Sequence, residues 1–172
     1  MNQKTKLTLG IIAGFFLAIA LDQWTKLLAV RHLMNQPAYS IWDGVFELLY
    51  SENRGAAFGM LQGKQAFFLL VALLVLSGAV YAVYRMPADR KYLPLHFIAM
   101  FLSAGAVGNM IDRFTRGYVV DFLYFKLIDF PIFNVADCYV TVSMGIFMLL
   151  FLFYYKEEDL SCLSLPKKEE KN

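Results

Sequence analysis

The chain has few of the residues that common catalytic and scaffold classes require. It holds two cysteines, two histidines and five prolines in 172 residues. Cys138 and Cys162 stand in no CxxC or Cys/His spacing, and two cysteines make no disulfide framework. Cys138 falls in an apolar run and Cys162 in a charged tail, so no bridge between them is expected. His32 and His96 are isolated, and no HExxH pattern exists, so packing or surface roles are expected for both. No metal and no cofactor is expected. The net charge is +2, and there is no basic stripe or nucleic-acid motif, which drops nucleic acid as a partner. No internal repeat is present.

Hydrocarbon is abundant instead. Hydrophobic residues make up 59% of the chain and the mean hydropathy is +0.51, too apolar for a soluble domain of this size. Four apolar runs predict membrane-spanning helices at about 7–30, 66–84, 92–111 and 135–155. Helices are expected because unpaired backbone in lipid is too costly. The fold class is therefore an all-α membrane protein of four transmembrane helices, in one domain of residues 1–155. Lys4 and Lys6 followed by an apolar run ending Ala18-Ile19-Ala20 resemble a signal peptide. The apolar character continues past Ala20 and three more spans follow, so an uncleaved first helix is expected. Lys4, Lys6, Arg85, Arg90, Lys91 and Lys156 flank the spans on one side, which predicts a cytoplasmic side with both termini inside. Residues 156–172 read as a solvated, mobile, charged cytoplasmic tail.

The two outer segments, about 31–65 and 112–134, are unusually apolar. Tyr39-Ser40-Ile41-Trp42 and Val45–Tyr50 flank Asp43-Gly44, a hairpin signal. Gly117–Phe125 is also strand-like. Such loops are expected to rest on the membrane surface or on each other, as simple packing or as a platform for a lipophilic substrate.

Counting helical rise places the polar residues at one depth. Asp22 lies about 23 Å above Leu7, with Lys26 one turn further, and Asn109 lies about 26 Å above Tyr92. Asp137, at the start of the last span, falls at the same outer level, with Asn134 one turn before it. Ionisable residues in spans are functional by default, although Arg113, Arg116 and Lys64 also suit a headgroup role. Asp22 and Lys26 are i, i+4, as are Asn109 and Arg113, while Asn134 and Asp137 are i, i+3. Ser103, Ala104, Gly105 and Gly108 suit close helix packing.

Two carboxylates around one water can hydrolyse an amide, one as base and one as acid. Asp137 with Asp121 is one pair, and Asp137 with Asp112 is the competing pair on geometry. Asp112 adjoins Arg113 and is a candidate for an ion pair with it. Asp129, before Phe130-Pro131, reads as a turn residue.

Five segments then point to a known family. They are Asp22-Gln23-x-x-Lys26, Asn53-Arg54-Gly55-Ala56-Ala57-Phe58-Gly59, Gly108-Asn109-x-x-Asp112-Arg113, Val119-Val120-Asp121-Phe122 and Phe133-Asn134-Val135-Ala136-Asp137. In that order on four spans, over roughly residues 7–155, the sequence resembles lipoprotein signal peptidase, the bacterial signal peptidase II. The resemblance implies an aspartic endopeptidase of the cytoplasmic membrane with its site near the outer leaflet. It implies removal of the signal peptide from diacylglyceryl-modified prolipoproteins by cleavage just before the lipidated cysteine. It implies Asp121 and Asp137 as the catalytic dyad, and substrate-binding or supporting roles for Asp22, Lys26, Asn53, Gly55, Asn109, Arg113 and Asn134. It also implies a small extracytoplasmic β-cradle formed by the outer loops. The expected partners are the lipid-modified prolipoprotein and membrane lipids, and a monomer is expected. Cys138, directly after Asp137, is expected to pack rather than attack, since its thiolate is disfavoured there. A small transporter and a non-catalytic scaffold are the rival classes. The shared depth of the polar groups argues against the first and their number against the second.

Overall fold

A computed structural model of the chain describes residues 2–55 and 65–163. Among the described residues, four helices are long and apolar enough to cross a membrane: α1 (Gln3–His32), α2 (Gln65–Arg85), α3 (Leu93–Arg116) and α4 (Val135–Phe153). A three-stranded antiparallel sheet, β1 (Tyr39–Trp42), β2 (Phe46–Asn53) and β3 (Val119–Tyr124), joins them in the order β1-β2-β3. A short α5 (Glu157–Leu160) follows α4.

Local chemistry sets the element ends. The Asn2 side chain caps α1 by accepting from the Thr5 N–H at 2.8 Å. α3 opens with a proline in its first turn and closes on Gly117 at φ 80°, a left-handed conformation that glycine adopts without steric cost. The chain reverses there, and β3 begins two residues later. Gly44, at φ 70°, makes the turn between β1 and β2 that the Asp-Gly pair predicts.

α3 is the hub of the bundle, packing against α1, α2 and α4. Its small residues permit close approach. A Cβ on Gly105 would lie 2.6 Å from the Ala136 carbonyl of α4, and one on Gly108 would lie 2.5 Å from the Asp22 carboxylate of α1. The outward faces of α1, α2 and α4 carry exposed Leu, Phe, Val and Met, as a lipid-facing surface requires. His96 is buried in packing, with Nε2 3.2 Å from the Pro87 carbonyl oxygen.

β3 is the buried strand of the sheet, with Val120 and Phe122 packed on Ala29 of α1. After β3, a 3-10 turn (Lys126–Ile128) ends on Asp129 at φ 48°, so Asp129 is the turn residue its sequence suggests. The chain then returns to β3: Phe133 and Leu123 exchange two backbone hydrogen bonds of 2.8 and 3.0 Å. Asn134 therefore begins α4 directly beside Asp121.

The charged tail departs from the free, solvated segment expected of it. Residues 157–163 fold back onto the α2–α3 turn. Lys91 pairs with Asp159 at 2.6 Å, and the Tyr92 hydroxyl donates to the Asp159 carbonyl at 2.9 Å. Leu160, Cys162 and Leu163 pack on the cluster of Met86, Leu95, Ile98 and Tyr155. These apolar side chains, spaced among the charges, supply the burial that a charge-based reading overlooks. Residues 164–172 lie outside the described residues.

Candidate active site

The polar residues of α1, α3 and α4 meet at the sheet end of the bundle, beneath β3. Lys26 is fully buried there, with Nζ 3.0 Å from Asp22 Oδ2, 3.2 Å from Asp112 Oδ2 and 2.8 Å from Asn109 Oδ1. An ammonium has three donors and no acceptor, so these three oxygens account for all of it. The Asn109 amide must therefore turn its oxygen to Lys26 and its nitrogen away. That nitrogen donates to Asp137 Oδ1 at 2.8 Å.

The same reasoning orients two more amides. The backbone N–H of Asp137 donates to Asn134 Oδ1 at 3.1 Å, so Asn134 Nδ2 faces the other way. It donates to Asp121 Oδ1 at 2.6 Å and to Asn109 Oδ1 at 3.0 Å. The N–H of Gly55 donates to Asn53 Oδ1 at 3.0 Å, and Asn53 Nδ2 donates to Asp121 Oδ2 at 2.9 Å. Three asparagines are each pinned by an obligatory donor, and each aims its NH2 at a carboxylate. Asp137 Oδ2 also accepts from the Asn134 N–H at 3.1 Å, completing a capping box at the start of α4. Helix initiation and site geometry use the same two residues.

Asp121 is 2% exposed, at the buried edge of the site. Burial, and then the neighbouring Asp137 charge, push its carboxyl up to about 7, against the opposing pull of the Asn53 and Asn134 amides.

Asp22 ties α1 to the start of α4. Its Oδ1 accepts from the Ala136 N–H at 3.0 Å, and its Oδ2 accepts from Gln23 Nε2 at 3.0 Å. Gln23 also donates to the Gly108 carbonyl at 3.0 Å, a role suggested only by its position next to Asp22.

Asp112 is not a partner of Asp137, and its ion pairs are not with Arg113. It faces Lys26 at 3.2 Å and Arg116 at 3.7 Å, and it accepts from the Val120 N–H at 3.1 Å. Because α3 continues to Arg116, Asp112 is a helical residue whose carboxylate points to α1 and β3. It fixes β3 one residue before Asp121. Arg113 leans the other way. Its Nη2 donates to the Gly55 carbonyl at 3.0 Å, and its guanidinium lies 4.1 Å from the centre of the Phe68 ring. No sequence signal marked Phe68. Both the N–H and the carbonyl of Gly55 are engaged, by Asn53 and Arg113. Ala56, Ala57 and Lys64 lie outside the described residues.

Asn53, Asn109, Arg113, Asp121 and Asp137 share the wall of one cavity of about 830 Å³. The facing wall is apolar, built by Phe125, Ile128, Phe130 and Phe133, and half-buried Cys138 lies lower on α4. A polar corner in an apolar cleft of this size is the usual form of a small-ligand or peptide site.

Several known proteins are similar to this chain over most of its length. A family model described as signal peptidase (SPase) II, Peptidase_A8, matches residues 14–153. A lipoprotein signal peptidase of Caldanaerobacter subterraneus is 44% identical over 83% of this chain and 94% of its own. One from Streptococcus thermophilus is 39% identical over 91% of this chain and 97% of its own. A solved bacterial membrane enzyme, 29% identical, superposes with a TM-score of 0.74 over 95% of this chain and 93% of its own. The aspartates and their asparagine clamps thus lie inside a matched region that takes in most of α1 and all of α2, α3 and α4, and the chain belongs to the signal peptidase II family, membrane aspartic peptidases that remove signal peptides from prolipoproteins.

Proposed function

We propose that Asp121 and Asp137 are the catalytic dyad and hold the attacking water between them. The observation that carries this reading is the triad of pinned amides, each donating to one of these two carboxylates in the cavity wall. Asp137 takes a proton from the water as its oxygen attacks the scissile carbonyl carbon. Asp121 gives its proton to the carbonyl oxygen, forming a tetrahedral diol. Protonation of the amide nitrogen by Asp137 and return of a diol proton to Asp121 then break the C–N bond. The products are a signal peptide with a new carboxyl end and a lipoprotein with a free amino group on its lipidated cysteine.

The supporting residues divide by what they touch. Lys26, Asp22 and Asn134 hold the dyad's geometry, and Asn109 hands the Lys26 constraint to Asp137. Asn53, Gly55 and Arg113 form the cavity wall that meets the peptide. The sheet acts as a cradle on the membrane surface; the exposed Tyr39, Ile41 and Trp42 of β1 and Leu127 and Ile128 beyond β3 suit an interface. The diacylglyceryl chains stay in lipid while the cysteine reaches the dyad. The site lies near the outer leaflet, both termini are cytoplasmic, residues 1–155 form the peptidase domain, and the enzyme works as a monomer among membrane lipids.

Asp121→Asn and Asp137→Asn, each assayed for cleavage of a lipidated prolipoprotein in membranes, test the assignment. Each is expected to abolish cleavage with expression and topology retained. Cleavage at the normal rate by either variant removes that residue from the dyad.

A further inference from the structure

A second cavity, of about 390 Å³, lies at the opposite end of the bundle. α3 forms its floor through Ala99, Met100 and Ser103, and α1 and α2 form its walls. Its lining is almost wholly apolar, with one charged residue, Lys4. Along α1 it runs from Lys4 to Phe15, eleven residues, or about 16 Å of helix. That is close to one leaflet of a hydrocarbon core about 30 Å thick. On the way, α1 and α3 draw together at Gly14, where a Cβ would lie 2.6 Å from the Met100 sulfur. The cavity therefore has the depth of one acyl chain and a basic mouth.

The mouth is specific in its chemistry. Lys4 Nζ donates to the Tyr84 carbonyl at 2.9 Å and lies 5.5 Å from the centre of the Tyr84 ring. This contact closes the gap between α1 and α2 at the chain-terminal end. One of three ammonium donors is used, which leaves two for an oxyanion. Lys6 and Arg85 add positive charge at the same helix ends.

We propose that this cavity holds one acyl chain of an anionic phospholipid, with its phosphate on Lys4. The site is separate from the dyad and fits a lipid of the leaflet at which both chain ends emerge. The bound lipid wedges α1 to α2 over a stretch where their side chains leave open space.

Native mass spectrometry of the purified full chain, loaded with phosphatidylglycerol or phosphatidylcholine, tests this. One phosphatidylglycerol per chain is expected, retained about fivefold better than phosphatidylcholine, the factor one basic residue supplies to anionic-lipid binding. Lys4→Gln is expected to lose the preference and keep the cleavage activity. Ala79→Phe, which places a ring in the cavity, is expected to retain neither lipid. Should Ala79→Phe fail to fold, the exposed Lys4→Gln variant carries the result alone. Equal retention of the two lipids by the wild type, or an unchanged preference in Lys4→Gln, overturns the proposal. So does a dimer whose formation excludes the lipid.

Discussion

Replacing Lys26 by methionine keeps a long, flexible side chain and removes three donors. Asp22 and Asp112, both fully buried, would lose the cation that lies 3.0 and 3.2 Å from them. Breaking a buried charged cluster by removing one partner costs about 3–5 kcal/mol, because the remaining charge is uncompensated. A second effect falls on the site. Without Lys26, only the 3.0 Å donor from Asn134 Nδ2 holds the Asn109 oxygen inward, and its amide turns more readily to bring that oxygen toward Asp137. The 2.8 Å donor to Asp137 is then lost. A hydrogen bond to a charged group is worth about 1.5–3 kcal/mol, so kcat should fall by about 10- to 150-fold in the molecules that remain folded. Both quantities are measurable: thermal unfolding in micelles, and initial rates on a lipidated prolipoprotein at saturating substrate. Adding Asp22→Asn removes one of the stranded charges, so the double variant should be more stable than Lys26→Met alone. The reasoning fails if Lys26→Met unfolds within about 1 kcal/mol of the wild type, since even a single unsatisfied buried polar group costs that much.

Other perturbations follow from the same geometry. As the proposed acid, Asp121 must carry its proton, and its carboxyl is pushed up to about 7, so cleavage should fall as pH rises through about 7. A pH profile of kcat/KM that stays flat from 6 to 9 contradicts this. Asn53→Ala removes a donor that favours the Asp121 anion, so the alkaline limb of that profile should move to higher pH; a downward move would show that Asn53 acts otherwise. Gly108→Ala puts a methyl 2.5 Å from the Asp22 carboxylate and should destabilise the protein by about 1–3 kcal/mol in a denaturant titration.

Much of how the candidate site comes together could be read from order and spacing, for physical reasons. Asp43-Gly44 marked the hairpin because a tight turn needs a residue that tolerates positive φ. Rise per residue put Asp22, Asn109 and Asp137 at one level because helices of fixed pitch leave little freedom in depth. Rotation about each helix is another matter. Asp112 looked as good a partner for Asp137 as Asp121 did, because helical rise says nothing about which way a carboxylate turns. The packing of Gly105 on Ala136 and Gly108 on Asp22 settles that rotation, and such contacts join residues far apart in sequence. The approach of Asp121 to Asn134 depends on the backbone pairing of Leu123 with Phe133 across an irregular loop. Arg113, equally suited by sequence to a headgroup, faces the site because Phe68 and the Gly55 carbonyl receive its guanidinium.

Asn134 begins the last apolar helix and also bridges the two aspartates. This makes formation of the last helix the step that completes the candidate site. Asp121 is translated before that helix, and Lys26 and Asn109 are in place earlier still. The contacts that Asn134 and Asp137 make to Asp121 and Asn109 form only once the first turn of α4 has closed. A chain without α4 holds Asp121 and lacks both Asp137 and the Asn134 clamp. With Asp121 and Asp137 as the proposed dyad, activity therefore requires the complete bundle, because the last helix brings one carboxylate and the clamp on the other together.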